Sequence, residues 1–138
     1  MTPFIWLAGA GFLLSLAAHL VSLTGHPLPS SVMALHVGIF VVWLPTVVVV
    51  LRMKRGSDRQ AWKTAFAGAP TWMKRVVVLI FVYSMVSFFW FVLRTPPHGA
   101  PLSDGDPAMV RGFSGHWMTF YSVAFTALYS ARRLGPQA

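Results

Sequence analysis

From Val76 to Leu93 the chain carries no charge, and Arg75 and Arg94 close the stretch at its two ends. A run this long and this apolar matches a helix that crosses a bilayer, for which about 20 mostly apolar residues suffice. Three further runs have the same character, so the expected spans are 3–23, 32–51, 76–93 and 112–131. They predict an all-α fold: an integral membrane four-helix bundle, a single membrane domain over residues 1–138. The last run is the most polar, with Ser114, His116, Thr119, Tyr121 and Ser122 in "SGHWMTFYSVAF". It has no charge from Phe113 to Ala131, whereas a helix lying on a membrane surface would show a charged face. A signal peptide is the rival for the first run. No Lys or Arg precedes it and His19 and His26 interrupt it, so it reads as an uncleaved span.

Composition agrees. Hydrophobic residues make up 56% of the chain and charged residues 10%, far from the roughly 25% charged of soluble domains. Eleven Lys and Arg against three acids give +8. The basic residues bracket apolar runs instead of lining a soluble face, which points to anionic lipid as partner and excludes nucleic acid. With no cysteine, disulfides, thiolate metal sites and Cys-attached haem are excluded. No phosphate loop, paired carboxylates or nucleophile motif is present, so catalysis is not expected.

The basic residues also set direction. The link between spans two and three holds Arg52, Lys54, Arg55, Arg59, Lys63, Lys74 and Arg75, and the tail adds Arg132 and Arg133. The external link, about 95–111, has Arg111 and Asp104 and Asp106, with Arg94 just before it. The positive-inside rule therefore puts both termini and the second link in the cytoplasm of a multi-pass protein of a bacterial inner membrane. The cytoplasmic link, about 57–73, reads as an amphipathic helix. Ser57 and Gln60 fit a capping box, and Trp62, Lys63, Phe66, Met73, Lys74 and Arg75 form a belt for anionic headgroups.

All five histidines then fall on the outer side. His26 and His98 lie in links, while His19, His36 and His116 each sit about 6–8 Å below the outer interface at 1.5 Å per residue. Helical spacing puts His19 on a small-residue face with Ala8, Gly11, Ser15 and Ser22, pointing into the bundle. His36 shares a face with Met33, Phe40 and Trp43, and His116 with Gly112, Thr119, Val123 and Ala127.

Three functions compete. In the leading one the polar layer is interhelical glue in a non-catalytic membrane protein, an accessory subunit or self-associating bundle whose partners are other membrane subunits or its own copies. Ser84, Ser87 and Tyr83 likewise bond across helices. In the second, His19, His36 and His116 ligate haem b or copper, walled by Phe40, Trp43, Trp117 and Phe120, with Met33 and Met109 as soft copper ligands. The third is a proton or small-solute carrier, although no carboxylate lies in any span and Pro45, which frees the carbonyl of Val41, needs no transport role. The "DGD" of Asp104 to Asp106, with His98, is mainly a turn and secondarily a cation site.

Overall fold

The computed structural model describes residues 2–53, 61–94, 103 and 105–135. Its elements are α1 (Thr2–Leu23), a 3-10 turn (Ser30–Met33), α2 (Ala34–Met53), α3 (Ala61–Ala65), α4 (Thr71–Arg94) and α5 (Pro107–Leu134). The described residues are helical with no strand. Three of the helical stretches are long and apolar enough to cross a membrane: Thr2–Leu23, Ser30–Met53 and Thr71–Arg94.

The fourth long helix, α5, is not among those three, and its packing explains its polarity. Alone among the long helices it packs extensively against all of the other three, whereas α4 has no such contact with α1 or α2. Buried residues lie all around α5: Val110, Trp117, Tyr121 and Leu128 share one stripe, and Gly115, Ser122, Gly112 and Ala127, on other sides of the helix, are buried as well. The outer three helices present Leu13, Leu14, Leu44, Leu79 and Leu93 outward. A helix shielded by its neighbours can carry hydroxyls and glycines, because its side chains meet protein and not hydrocarbon. The result is a hub with three helices around it.

Consecutive long helices run antiparallel. At one end the Leu28 N–H donates to the carbonyl of Gly105 (3.0 Å), joining the first link to the residues ahead of α5. At the other, the Gly68 N–H donates to Ser130 Oγ (2.8 Å), joining the second link to the last turns of α5. That second end carries Arg52, Lys63, Lys74, Arg75, Arg132 and Arg133, and is called the basic end below.

Close approach to α5 rests on small residues. Tyr121 lies where a side chain on Gly11 of α1 or Gly38 of α2 would stand, and its hydroxyl donates to the carbonyl of Leu35 (2.9 Å). One ring thus locks three helices. Around it Ala8, Ala18, Ile39, Val42, Val110, Trp117 and Ala124 form the main core.

Two helix starts fall earlier than the apolar runs suggest. Asp106 caps α5 by accepting the Ala108 N–H (2.8 Å), with Pro107 in the first turn, so the helix begins at Pro107 and not near residue 112. The Asp-Pro pair that reads as a turn is a helix cap. Likewise the carbonyl of Pro70 accepts from the N–H groups of Met73 and Lys74, so α4 starts at Thr71. Lys74 and Arg75 therefore belong to the first turns of α4. The capping box at Ser57 to Gln60, as well as His98 and Asp104, lie outside the described residues.

Candidate functional site

The polar residues gather toward the end opposite the basic one. His19 is 3% exposed, and both of its ring nitrogens are engaged: Nδ1 lies 2.7 Å from Ser114 Oγ on α5, and Nε2 lies 2.6 Å from the Tyr83 hydroxyl on α4. One proton arrangement leaves no donor idle. Tyr83 donates to Nε2, Nδ1–H donates to Ser114, and Ser114 donates to the carbonyl of Arg111 (3.4 Å). The half-buried Arg111 in turn donates to the carbonyl of Ser22 (2.8 Å), while Ser22 donates to the carbonyl of His19 (2.6 Å). This circuit ties α1, α4 and α5 together.

The stripe Ala8, Gly11, Ser15, His19, Ser22 anticipated on α1 is buried throughout. Other hydroxyls act as glue too. Ser84 donates to the carbonyl of Gly115 (2.5 Å) and lies 2.7 Å from Thr119 Oγ1, and Ser87 donates to the carbonyl of Arg111 (3.3 Å). Ser15, Thr46 and Ser122 turn back on their own helices, bonding the carbonyls of Gly11, Val42 and Thr119. Sequence alone has Tyr83 bonding across helices without naming His19 as its partner, and gives Arg111 no such role. Tyr83 lies one turn before Ser87 and beside Ser84, and that grouping was the available signal.

His36 is exposed and lies on the far side of Trp117, whose Nε1–H donates to His36 Nδ1 (3.1 Å). Its ring meets Phe40 and Phe113 edge-on at 6.3 and 6.5 Å. His116 is half-buried against the Phe88 ring (4.7 Å, 79°). Its Nδ1 makes no complete hydrogen bond and has the Gly112 carbonyl, one turn back, as polar neighbour. Among the described residues no three of His, Cys, Asp and Glu come together as a metal-binding group. The shared depth of the three imidazoles does not make a shared site, because each ring turns to different partners: His19 to Ser114 and Tyr83, His36 to the Trp117 indole, and His116 to the Phe88 ring.

The suggested pocket walls separate in the same way. Trp43 and Phe120 meet edge-on at 5.3 Å and line, with His116, Thr119, Phe81 and Met85, a cleft of about 370 Å³ between α2 and α4. Trp117 is fully buried in the core and Phe40 is 64% exposed. Of the three spans' histidines, His116 is the one that lines this cleft. Met33 packs against the core, and Met109 is half-buried on the first turn of α5.

At the basic end, Trp62 and Lys63 fall in α3 and Lys63 is exposed, as is Arg75, while Lys74 is half-buried. Phe66 packs on Val50, Ala65 and Ala127, and Met73 is buried. These two apolar residues of the supposed lipid belt face the other helices, because the second link folds back over α5.

Comparison with protein-family models, with curated proteins and with solved structures gives no match.

Replacement of His19 by Ala is expected to cost about 1–2 kcal/mol, the upper range for a polar contact between membrane helices, since it strands two hydroxyls. Unfolding in mixed micelles of rising SDS fraction, followed by helical circular dichroism, measures it. His19→Gln, which can bond only one of the two partners well, falls between.

Proposed function

We infer that this is a small non-catalytic integral membrane protein, an accessory subunit or self-associating bundle, with α5 as a fourth span enclosed by the other three. The basic end and both termini face the cytoplasm, as the bias of nine basic residues out of eleven supports. The observation that carries the reading is the use of His19. An imidazole that bonds Ser114 through one nitrogen and Tyr83 through the other acts as a strut between helices, with no lone pair left for a ligand.

The chemistry at His36 favours the same view over haem or copper. A ligating histidine donates its second N–H to an acceptor. Here the group at Nδ1 is a donor, the Trp117 N–H, and it holds the neutral ring with its proton on Nε2, the nitrogen that would have to bind metal. For a carrier, the three carboxylates of the chain, Asp58, Asp104 and Asp106, all lie in links.

The test is a visible spectrum, oxidised and reduced, with metal analysis of protein purified in mild detergent from cells supplied with iron, copper and haem precursors. A colourless, metal-free preparation is expected. A Soret band, or stoichiometric copper, that disappears in His116→Ala overturns the structural reading and installs the redox one.

A further inference from the structure

Along the seam between α1 and α4 the two helices stand apart, and α5 forms the floor of an apolar cleft of about 480 Å³. Trp6 and Ala10 line it from α1, Trp72 and Ile80 from α4, and Phe125 and Thr126 from below. The wall from Trp72 to Ile80 is about 12 Å long at 1.5 Å per residue. It opens at the basic end, where Trp6 and Trp72 are mostly exposed, the position that suits tryptophan at a headgroup boundary.

Charge is placed to match. On α5, Ser122, Thr126, Tyr129 and Arg133 follow steps of four, three and four, so the stripe that floors the cleft continues past the Phe125 and Tyr129 rings, stacked at 6.4 Å, to the exposed Arg133. Lys74 and Arg75 lie on the same turns of α4 but point to either side of the wall formed by Trp72, Val76 and Ile80, so Arg133 is the basic residue in line with the cleft. The one acid among the described residues, Asp106, caps α5 at its opposite end.

We propose that this cleft binds one acyl chain of an anionic phospholipid from the cytoplasmic leaflet, with its phosphate held by Arg133. The proposal rests on the membrane orientation inferred above. Two observations select a lipid over a helix of a second copy or of another protein. The cleft is shorter than half of a hydrocarbon layer about 30 Å thick, so it matches one leaflet. Beyond Ile80 the seam holds a second, separate cleft of about 380 Å³ around Leu16, Leu23 and Tyr83, where the 2.6 Å contact of His19 with Tyr83 joins α1 to α4, so a helix seated at the depth of the first cleft does not continue along the seam.

The test uses the full chain in vesicles of phosphatidylcholine containing increasing fractions of brominated phosphatidylglycerol or brominated phosphatidylcholine, whose acyl chains quench tryptophan. The cleft signal is the difference between the wild type and a Trp6→Phe, Trp72→Phe double variant. Phosphatidylglycerol is expected to bind about fivefold or more in preference to phosphatidylcholine, and Arg133→Gln to weaken the preference about fivefold, the factor one basic side chain is worth at an anionic surface. Ala10→Phe, which fills the cleft from an exposed position, is expected to abolish the cleft signal with helix content unchanged. Equal quenching by the two lipids overturns the proposal, as does a preference that neither substitution alters. A dimer broken by Ala10→Phe in the absence of lipid preference gives the cleft to a second copy and also overturns it. Failure of the chain to float with the vesicles after alkaline extraction overturns the membrane reading as well, whereas insertion without preference removes only the lipid site.

Discussion

Trp117→Ala is expected to lower the stability of the folded chain by about 3–5 kcal/mol, the cost of emptying a large buried aromatic site. Trp117 is 0% exposed and sits in the core cluster with Val42, Val110 and Tyr121, so the space it leaves adjoins residues of α2 and α5 that cannot readily collapse into it. The same change removes the donor to His36. A control separates the two effects: Trp117→Phe keeps most of the volume, loses only the N–H bond, and is expected to cost about 1 kcal/mol beyond a small packing loss. SDS unfolding by circular dichroism reads both. If Trp117→Ala costs no more than Trp117→Phe, the core is not where the structure places it.

The second large effect is expected at Gly115. A Cβ there would stand 3.1 Å from Ser84 Cα, a backbone contact that a side-chain rotation cannot relieve. Gly115→Ala should therefore cost about 1–3 kcal/mol, the range for forcing a methyl group into a packed site. Gly115→Leu should push α4 off α5 altogether. Because α4 packs extensively on α5 and on no other long helix, displacement there has only the His19–Tyr83 contact with α1 to oppose it. The readout is proteolysis in detergent together with unfolding: rapid cleavage in the second link, around residues 54–60, and loss of the cooperative transition. Gly9→Ala is the comparison, since a Cβ at Gly9 meets the Phe125 ring at 3.5 Å, ordinary contact distance, and should be near neutral.

How far the sequence reaches can be judged from particular residues. The stripe of Ala8, Gly11, Ser15, His19 and Ser22 was readable because α1 has one polar or small face and one neighbour of consequence, α5, with a lesser contact to α2. Periodicity works when burial is one-sided. On α5 it fails for the opposite reason: with neighbours on three sides, Gly112, Trp117, Ser122 and Ala127, which point in four directions around the helix, are all buried, and no single face through His116 stands out. Depth along the membrane normal is likewise legible from spacing, which is how three imidazoles come to the same level. Their direction around the helix axis depends on which helix stands in the middle, and hydropathy does not rank helices by centrality. Here it misleads, since the most central helix is also the least apolar of the four long ones. The start of α5 was hidden for a simpler reason: Asp106-Pro107 is equally good chemistry for a turn and for a helix cap.

The central place of α5 bears on how the protein is made. Synthesis runs from the amino end, so α1, α2 and α4 emerge before the element that holds them. On the membrane reading they must wait in lipid as loosely associated helices, their hydroxyls and His19 without the mates that α5 supplies. Assembly is then a single late event triggered by the emergence of α5, and a chain halted before about residue 110 would be inserted yet unassembled, a natural substrate for quality-control proteolysis.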